Sequence, residues 1–194
     1  MRFLLRLALA LPLALAASLA FAAPVAPAAS APPTWTHGAG STLGFASSYD
    51  GESFEGRFAR FSTRLHFDPA SVSGHFEVLI DLASASTEND ERDEVLLGAD
   101  FFNTAALPQA RYQATQFRKL ADGRFVADDT LSLRGVSKPV PLIFRWTPGT
   151  APVLEGTASV PRLAFGVGLG DWDDTEVLPD EVHVTTRLVL QPKP

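Results

Sequence analysis

Over residues 74–83 the chain alternates. Phe76, Val78, Ile80 and Leu82 share one parity, and His75, Glu77 and Asp81 the other, with Leu79 the one exception. A period of two marks a half-buried β-strand. Near the C-terminus Val182, Val184, Thr186, Leu188 and Leu190 alternate in the same way with His183, Thr185, Arg187 and Gln191, and the runs 130–134 and 140–146 behave similarly. Turn signals at Asp50-Gly51, Asp68-Pro69, Asp122-Gly123 and Pro148-Gly149 punctuate these runs at strand-length intervals. Between Phe54 and Phe67 the apolar register flips: Phe54, Gly56 and Phe58 share one parity, Phe61, Leu65 and Phe67 the other. A bulge near Ala59-Arg60 is expected there, since bulges bend barrel strands.

Only residues 87–97 read as helical. Thr87 is the expected cap, and Glu88, Asp90 and Glu91 fall in the first turn, where the helix dipole favours acids. Gly98 suits the position just past the end. A further short turn is expected over 100–103, with the pair Phe101 and Phe102, before Pro108 restarts an extended segment. About seven or eight strands with one minor helix predict an antiparallel barrel or sandwich. Most of the phenylalanines beyond residue 22 sit on inward parities, where they either fill a packed core or line a ligand cavity. Periodicity leaves both open.

Composition adds the setting. Arg2 and Arg6 precede an apolar run over 4–19, and Ala20-Phe21-Ala22 is a small-x-small cleavage site, so residues 1–22 read as a secretory signal peptide. Cleavage takes away two of the sixteen basic residues and none of the twenty-two acids, leaving a net charge of −8. That balance argues against nucleic acid and anionic membrane surfaces as partners. Residues 23–33 are a Pro/Ala-rich tether, and 34–194 suffice for one domain with a sizeable interior. After the signal no segment is apolar for long enough to span a membrane. The absence of cysteine excludes a thiol nucleophile, disulfide exchange, covalently attached c-type haem and a Cys-ligated zinc site.

Candidate chemistry is sparse. The acids from Glu88 to Asp100 are interrupted by Arg92 and scatter around a helix, as a solvated helix start does. Asp171, Asp173, Asp174 and Glu176 lack the EF-hand spacing of a calcium loop. His37, His66, His75 and His183 fall in separate strands, with no H-x-H or H-E-x-x-H pair for zinc. No G-x-S-x-G elbow is present, and Gly166, Gly168 and Gly170 precede an acidic stretch instead of the helix a phosphate loop needs. No catalytic residue, metal or cofactor is therefore expected. Thr87, Arg92, Asp93 and Arg162 are the only polar groups that a hydrolase or isomerase reading has to work with.

A set of ordered landmarks resembles the YceI family of exported, lipocalin-like proteins linked to polyisoprenoid binding. They are Ser41-Thr42-Leu43-Gly44-Phe45, Gly56-Arg57-Phe58-Ala59-Arg60-Phe61, and Phe67-Asp68-Pro69. Ser84 and Thr87, Arg92-Asp93, Asp100-Phe101-Phe102, then Pro108 and Tyr112, follow in order. The block 131–140 (LSLRGVSKPV) matches the family's L-T-L-R-G-V-T-K-P-V closely, and Arg162, Phe165-Gly166 and Asp180-Glu181-Val182 resemble its closing elements. The usual acid between that Arg and Phe-Gly is replaced here by Leu163-Ala164, and 168–176 forms a longer, Trp-containing acidic loop.

The resemblance implies an extended antiparallel, lipocalin-like β-barrel of about eight strands around an apolar tunnel, with a short helix closing one end. It further implies a periplasmic, non-enzymatic carrier of an isoprenoid-type lipid or quinone-like molecule. The expected lining is Phe45, Phe58, Phe76, Val78, Ile80, Phe102, Phe117, Leu133, Leu142 and Phe144, with Phe101 and Phe102 closing the helix end and Trp172 on a rim. Arg92 and Asp93 are expected to pin the helix more than to touch ligand. Many such barrels self-associate, so a homodimer is an expected partner, although no residue pattern marks its face. The alternative is an exported partner-binding or scaffold module with a fully packed core, using the 168–180 loop.

Overall fold

The computed structural model describes residues 33–193. The expected signal peptide (1–22), and all of the expected tether (23–33) but its last residue, lie outside the described residues. The first strands are β1 (Trp35–His37), β2 (Thr42–Tyr49), β3 (Glu52–Phe58), β4 (Phe61–Asp68) and β5 (Ser73–Asp81). After β6 (Ala85–Ser86) comes the helix α1 (Asp90–Leu97), then β7 (Gln109–Ala114), β8 (Phe117–Lys119) and β9 (Phe125–Leu133). The chain ends with β10 (Val136–Thr147), β11 (Val153–Pro161) and β12 (Glu181–Pro192).

Eight of these strands close a ring in the order β1-β4-β5-β7-β9-β10-β11-β12, and β12 returns to β1 through the pairs Trp35↔Pro192 and His37↔Leu190. β2, β3 and β6 extend from β12, and β8 adds to β9. Every pairing is antiparallel. The described residues thus form a closed, eight-stranded antiparallel barrel with a single short α-helix among them.

Turn chemistry sets the register. Asp50 and Gly51, both at positive φ, join β2 to β3 beyond the pair Tyr49↔Glu52. That backbone matches the right-handed twist of a hairpin. Arg134 and Gly135 do the same between β9 and β10, next to Leu133↔Val136. The parity flip near Ala59-Arg60 is present, but its cause is a strand break and not a bulge. β3 ends at Phe58 and pairs with β2 and β6, whereas β4 starts at Phe61 and pairs with β1 and β5. Across the break, the Ala59 and Arg60 amides donate to the Ser84 carbonyl and Oγ, at 3.1 and 3.0 Å.

The helix starts later than expected. Its N-cap is Asn89, whose side chain accepts from the Arg92 amide at 3.0 Å. Thr87 lies before the helix, and its amide and hydroxyl both donate to Asp93 Oδ1 at 2.7 Å. Arg92 Nε in turn donates to Thr87 Oγ1 at 3.0 Å. Gly98 ends the helix in extended backbone (φ −65) instead of the left-handed conformation, its amide reaching Val95 O at 3.1 Å. Only Leu96 of α1 is buried, so amphipathic burial is slight, and the Thr87–Asp93 tie helps hold the helix in place.

The interior has two layers. Around Phe67 the rings of Phe76, Phe117, Phe125, Phe144 and Trp146 stand 5.0–5.9 Å away, most of them edge-on. Such pairs contribute about 0.5–1.5 kcal/mol each beyond their buried area. That end of the barrel is filled. The second layer, toward α1, includes Phe45, Phe101, Phe102, Leu133, Val160 and Phe165.

Candidate ligand-binding cavity

Above the aromatic layer lies a cavity of about 190 Å³. Along β12 its wall runs from Val182 to Leu188, a span of roughly 20 Å at ~3.3 Å per residue. Inward parity puts it there: Leu43, Phe45 and Ser47 of β2, Phe76, Val78 and Ile80 of β5, and Val140 and Leu142 of β10 all face it.

Of the residues expected on the lining, Phe45, Phe58, Phe76, Val78, Ile80, Phe101, Phe102, Leu133 and Leu142 stand on this wall. Phe117 and Phe144 do not. They pack in the filled aromatic layer, where Phe76, 4.8 and 5.4 Å from them, forms the boundary between plug and cavity. Trp172 is also off the wall; its ring meets Phe101 edge-on at 5.3 Å and lies tilted against Tyr49 at 6.0 Å, in the loop beside the helix end. Phe102 meets Phe58 at 6.0 Å, and Phe58 meets Phe45 at 5.3 Å, so one run of rings crosses from the 99–103 turn to β2.

Several wall residues escaped the sequence reading. Phe54 and Phe61 had a usable signal, since they share the inward parities of Phe58 and Leu65. Leu96 and Leu178 had none, because they come from the helix and from a loop.

Four polar side chains belong to the wall: Ser47, Tyr112, Arg162 and Thr186. Tyr112 Oη donates to Ala127 O at 3.0 Å, and burial, with Asp129 nearby, raises its pKa well above the ordinary phenol value. Thr186 Oγ1 donates to Thr42 O at 3.2 Å.

Arg162 is 2% exposed and has no carboxylate bonded to it. Its Nε donates to Pro179 O at 3.0 Å, Nη1 to Val167 O at 3.0 Å and Gly168 O at 2.6 Å, and Nη2 to Trp172 O and Leu178 O, both at 2.7 Å. All five guanidinium N–H groups are thereby used. Gly168 takes φ +66, and a Cβ there would come within 2.6 Å of Arg162 Nη1. The 166–180 loop is therefore wrapped around a buried arginine, not a phosphate.

The polar groups considered for catalysis do not converge. Thr87, Arg92 and Asp93 bond one another outside the wall, with the Arg92 guanidinium 4.5 Å above the Phe54 ring. Asp93 is held below its ordinary pKa: partial burial works the other way, but the Thr87 hydroxyl and amide outweigh it. Among the described residues no three His, Cys, Asp or Glu side chains are placed to share a metal ion. His66 and His75 do fall in separate strands, β4 and β5, where they are cross-strand partners. Among the described residues no helix is long and apolar enough to cross a membrane.

Comparison with known proteins agrees with this geometry. The YceI-like domain model matches residues 36–190. A UPF0312 protein of Shewanella denitrificans is 40% identical over 107 residues, which are 54% of this chain and 56% of that protein. The chain thus spans about half the length of the curated relatives it matches. Among solved structures, BcnA of Burkholderia cenocepacia superposes with a TM-score of 0.72 at 28% identity, covering 76% of this chain and 94% of that one. A polyisoprenoid binding domain from Saccharophagus degradans, implicated in plant cell wall breakdown, shares the fold, with a TM-score of 0.64 at 19% identity over 83% of this chain and 99% of that one. With the family match running from β1 to β12 across the whole barrel, the chain belongs to the YceI family.

Proposed function

We propose that this protein is an exported, periplasmic carrier that holds the tail of an isoprenoid-type lipid or quinone-like molecule in the barrel and catalyses no reaction. The observation that carries the reading is the cavity itself: apolar along its length, bounded by a packed aromatic floor, and walled by residues from most of the ring. Burying an apolar tail there gains about 2.5 kcal/mol for each ~100 Å² removed from water, so affinity needs few polar anchors. The polyisoprenoid binding domain named above, of the same fold, supports this class of ligand.

Phe45, Phe58, Val78, Ile80, Leu133 and Leu142 are the proposed tail contacts, Phe76 with Phe117 and Phe144 behind it the floor, and Phe101, Phe102 and Trp172 the closing rim. The leader pattern of residues 1–22 supports export. A partner-binding module with a fully packed core fits less well, since the interior retains about 190 Å³ of space. The test is native mass spectrometry of delipidated protein titrated with a long polyprenol: one lipid per barrel is expected, and an unchanged apo mass at saturation would sink the carrier reading.

A further inference from the structure

Ser47 stands apart from the rest of the cavity wall. It follows Leu43 and Phe45 on the inward parity of β2, where a third apolar residue is the natural choice, and its Oγ is buried without a hydrogen-bond partner. A buried hydroxyl left unpaired is destabilising. The wall's other polar groups are committed: Tyr112 to Ala127 O, Thr186 to Thr42 O, and Arg162 to five backbone carbonyls. Among the wall's side chains a ligand in the cavity therefore meets one free hydrogen-bond donor, and no cation with a free N–H.

Its surroundings weigh further against an anion. Ser47 pairs across the strands with Phe54, two residues before Tyr49, whose ring lies tilted 6.0 Å from that of Trp172. It thus lies near the end closed by α1 and the 166–180 loop, where Asp171, Asp173, Asp174 and Glu176 gather. Arg92 sits over the Phe54 ring outside the wall, bonded to Thr87 and next to Asp93.

Resting on the carrier reading, we infer that the cargo's buried head is uncharged and is read by Ser47 through one neutral oxygen. That chemistry fits a prenyl alcohol or a prenylated quinone and disfavours a prenyl phosphate or diphosphate. A serine hydroxyl both donates and accepts, so it serves an alcohol and a carbonyl alike. An ionised head would have to be desolvated against a wall whose one cation, Arg162, already gives all five N–H groups to backbone carbonyls.

The experiment uses probes that share one isoprenoid carbon skeleton: geranylgeraniol, a menaquinone with the same tail, geranylgeranyl diphosphate, and the saturated hydrocarbon phytane. Each is titrated into the full domain and its Ser47→Ala and Arg92→Gln variants, with thermal unfolding of each ligand-free protein alongside. The alcohol and the quinone should bind wild type at least ~10-fold more tightly than the diphosphate, and Ser47→Ala should weaken those two by about 5- to 10-fold. Phytane should bind Ser47→Ala and wild type equally, and Arg92→Gln should leave the alcohol unchanged. Ligand-free Ser47→Ala should melt no lower than wild type, because it removes an unpaired polar group.

Diphosphate binding as tightly as the alcohol, or Ser47→Ala changing none of the affinities, would overturn the head-group assignment while phytane binding keeps the carrier reading intact. Failure of every probe to bind would overturn both.

Discussion

Filling the cavity and overfilling the plug should have opposite consequences. Ala158 lies on the inward parity of β11, between Gly156 and Val160, and lines the cavity; Ala114 of β7 is fully buried beside Phe76 in the aromatic layer. In Ala158→Phe the added ring has existing space of about 190 Å³ to enter. Burying a Phe side chain is worth about 1.5–3 kcal/mol, so ligand-free stability should hold or rise by about 1–2 kcal/mol, allowing for lost side-chain freedom. In Ala114→Leu there is no space, and overpacking should cost about 1–3 kcal/mol. Urea unfolding of delipidated protein reads this as a shift in midpoint at unchanged slope. Polyprenol titration of the same samples should show affinity reduced at least ~10-fold in Ala158→Phe and retained in folded Ala114→Leu. Equal destabilisation by the two substitutions would mean that the upper layer is as tightly packed as the lower. Full lipid binding by Ala158→Phe would remove the cavity from the account.

Three further outcomes follow from the same geometry. Arg162→Leu strips the partners from five carbonyls and should cost about 3–5 kcal/mol, with proteolytic cleavage appearing first within 166–180; an unchanged melting temperature would contradict the loop's dependence on this side chain. Phe67→Ala removes the ring at the centre of the plug and should cost about 3–5 kcal/mol in urea unfolding, and a loss under ~1 kcal/mol would mean that the layer closes over the gap. Acid should loosen the helix end: Asp93 has a lowered folded pKa, so its contribution is complete above the ordinary carboxylate value near ~3.9 and is lost as pH falls through the lowered one. Thermal unfolding from pH 6 down to pH 2 should then show a decline that Asp93→Asn partly flattens, and parallel curves would refute this role.

How much of this was legible in the sequence depends on the kind of interaction. Strand alternation and the parity flip between Phe58 and Phe61 could be read directly, because a period of two fixes which face a side chain takes. It does not fix depth along the barrel axis. Phe76, Phe117 and Phe144 all read as inward, yet the first bounds the cavity while the others are locked in the plug. The helix start was misread because Thr87 and Asn89 are both good caps, and the choice is made by Asp93, six residues on, which takes up both Thr87 donors. The Arg134-Gly135 turn gave no signal, since the Arg134 backbone at φ +51 is accompanied by side-chain bonds to the Ala99 and Phe101 carbonyls across the end of the barrel. Arg162 could be named as one of the few polar groups open to an enzyme reading; that it is buried and bonded to five backbone carbonyls is something composition cannot reveal. Ser47 was not singled out in the sequence, and what makes it informative is that every other side-chain donor on the wall is committed.

The most direct test of the carrier reading is the mass of what the protein holds when it is purified from the exported fraction of its own cells. Native mass spectrometry with solvent extraction should show an adduct that extracts as a polyprenyl or quinone-like species bearing a neutral head. A clean apo mass that persists after incubation with such lipids would contradict it.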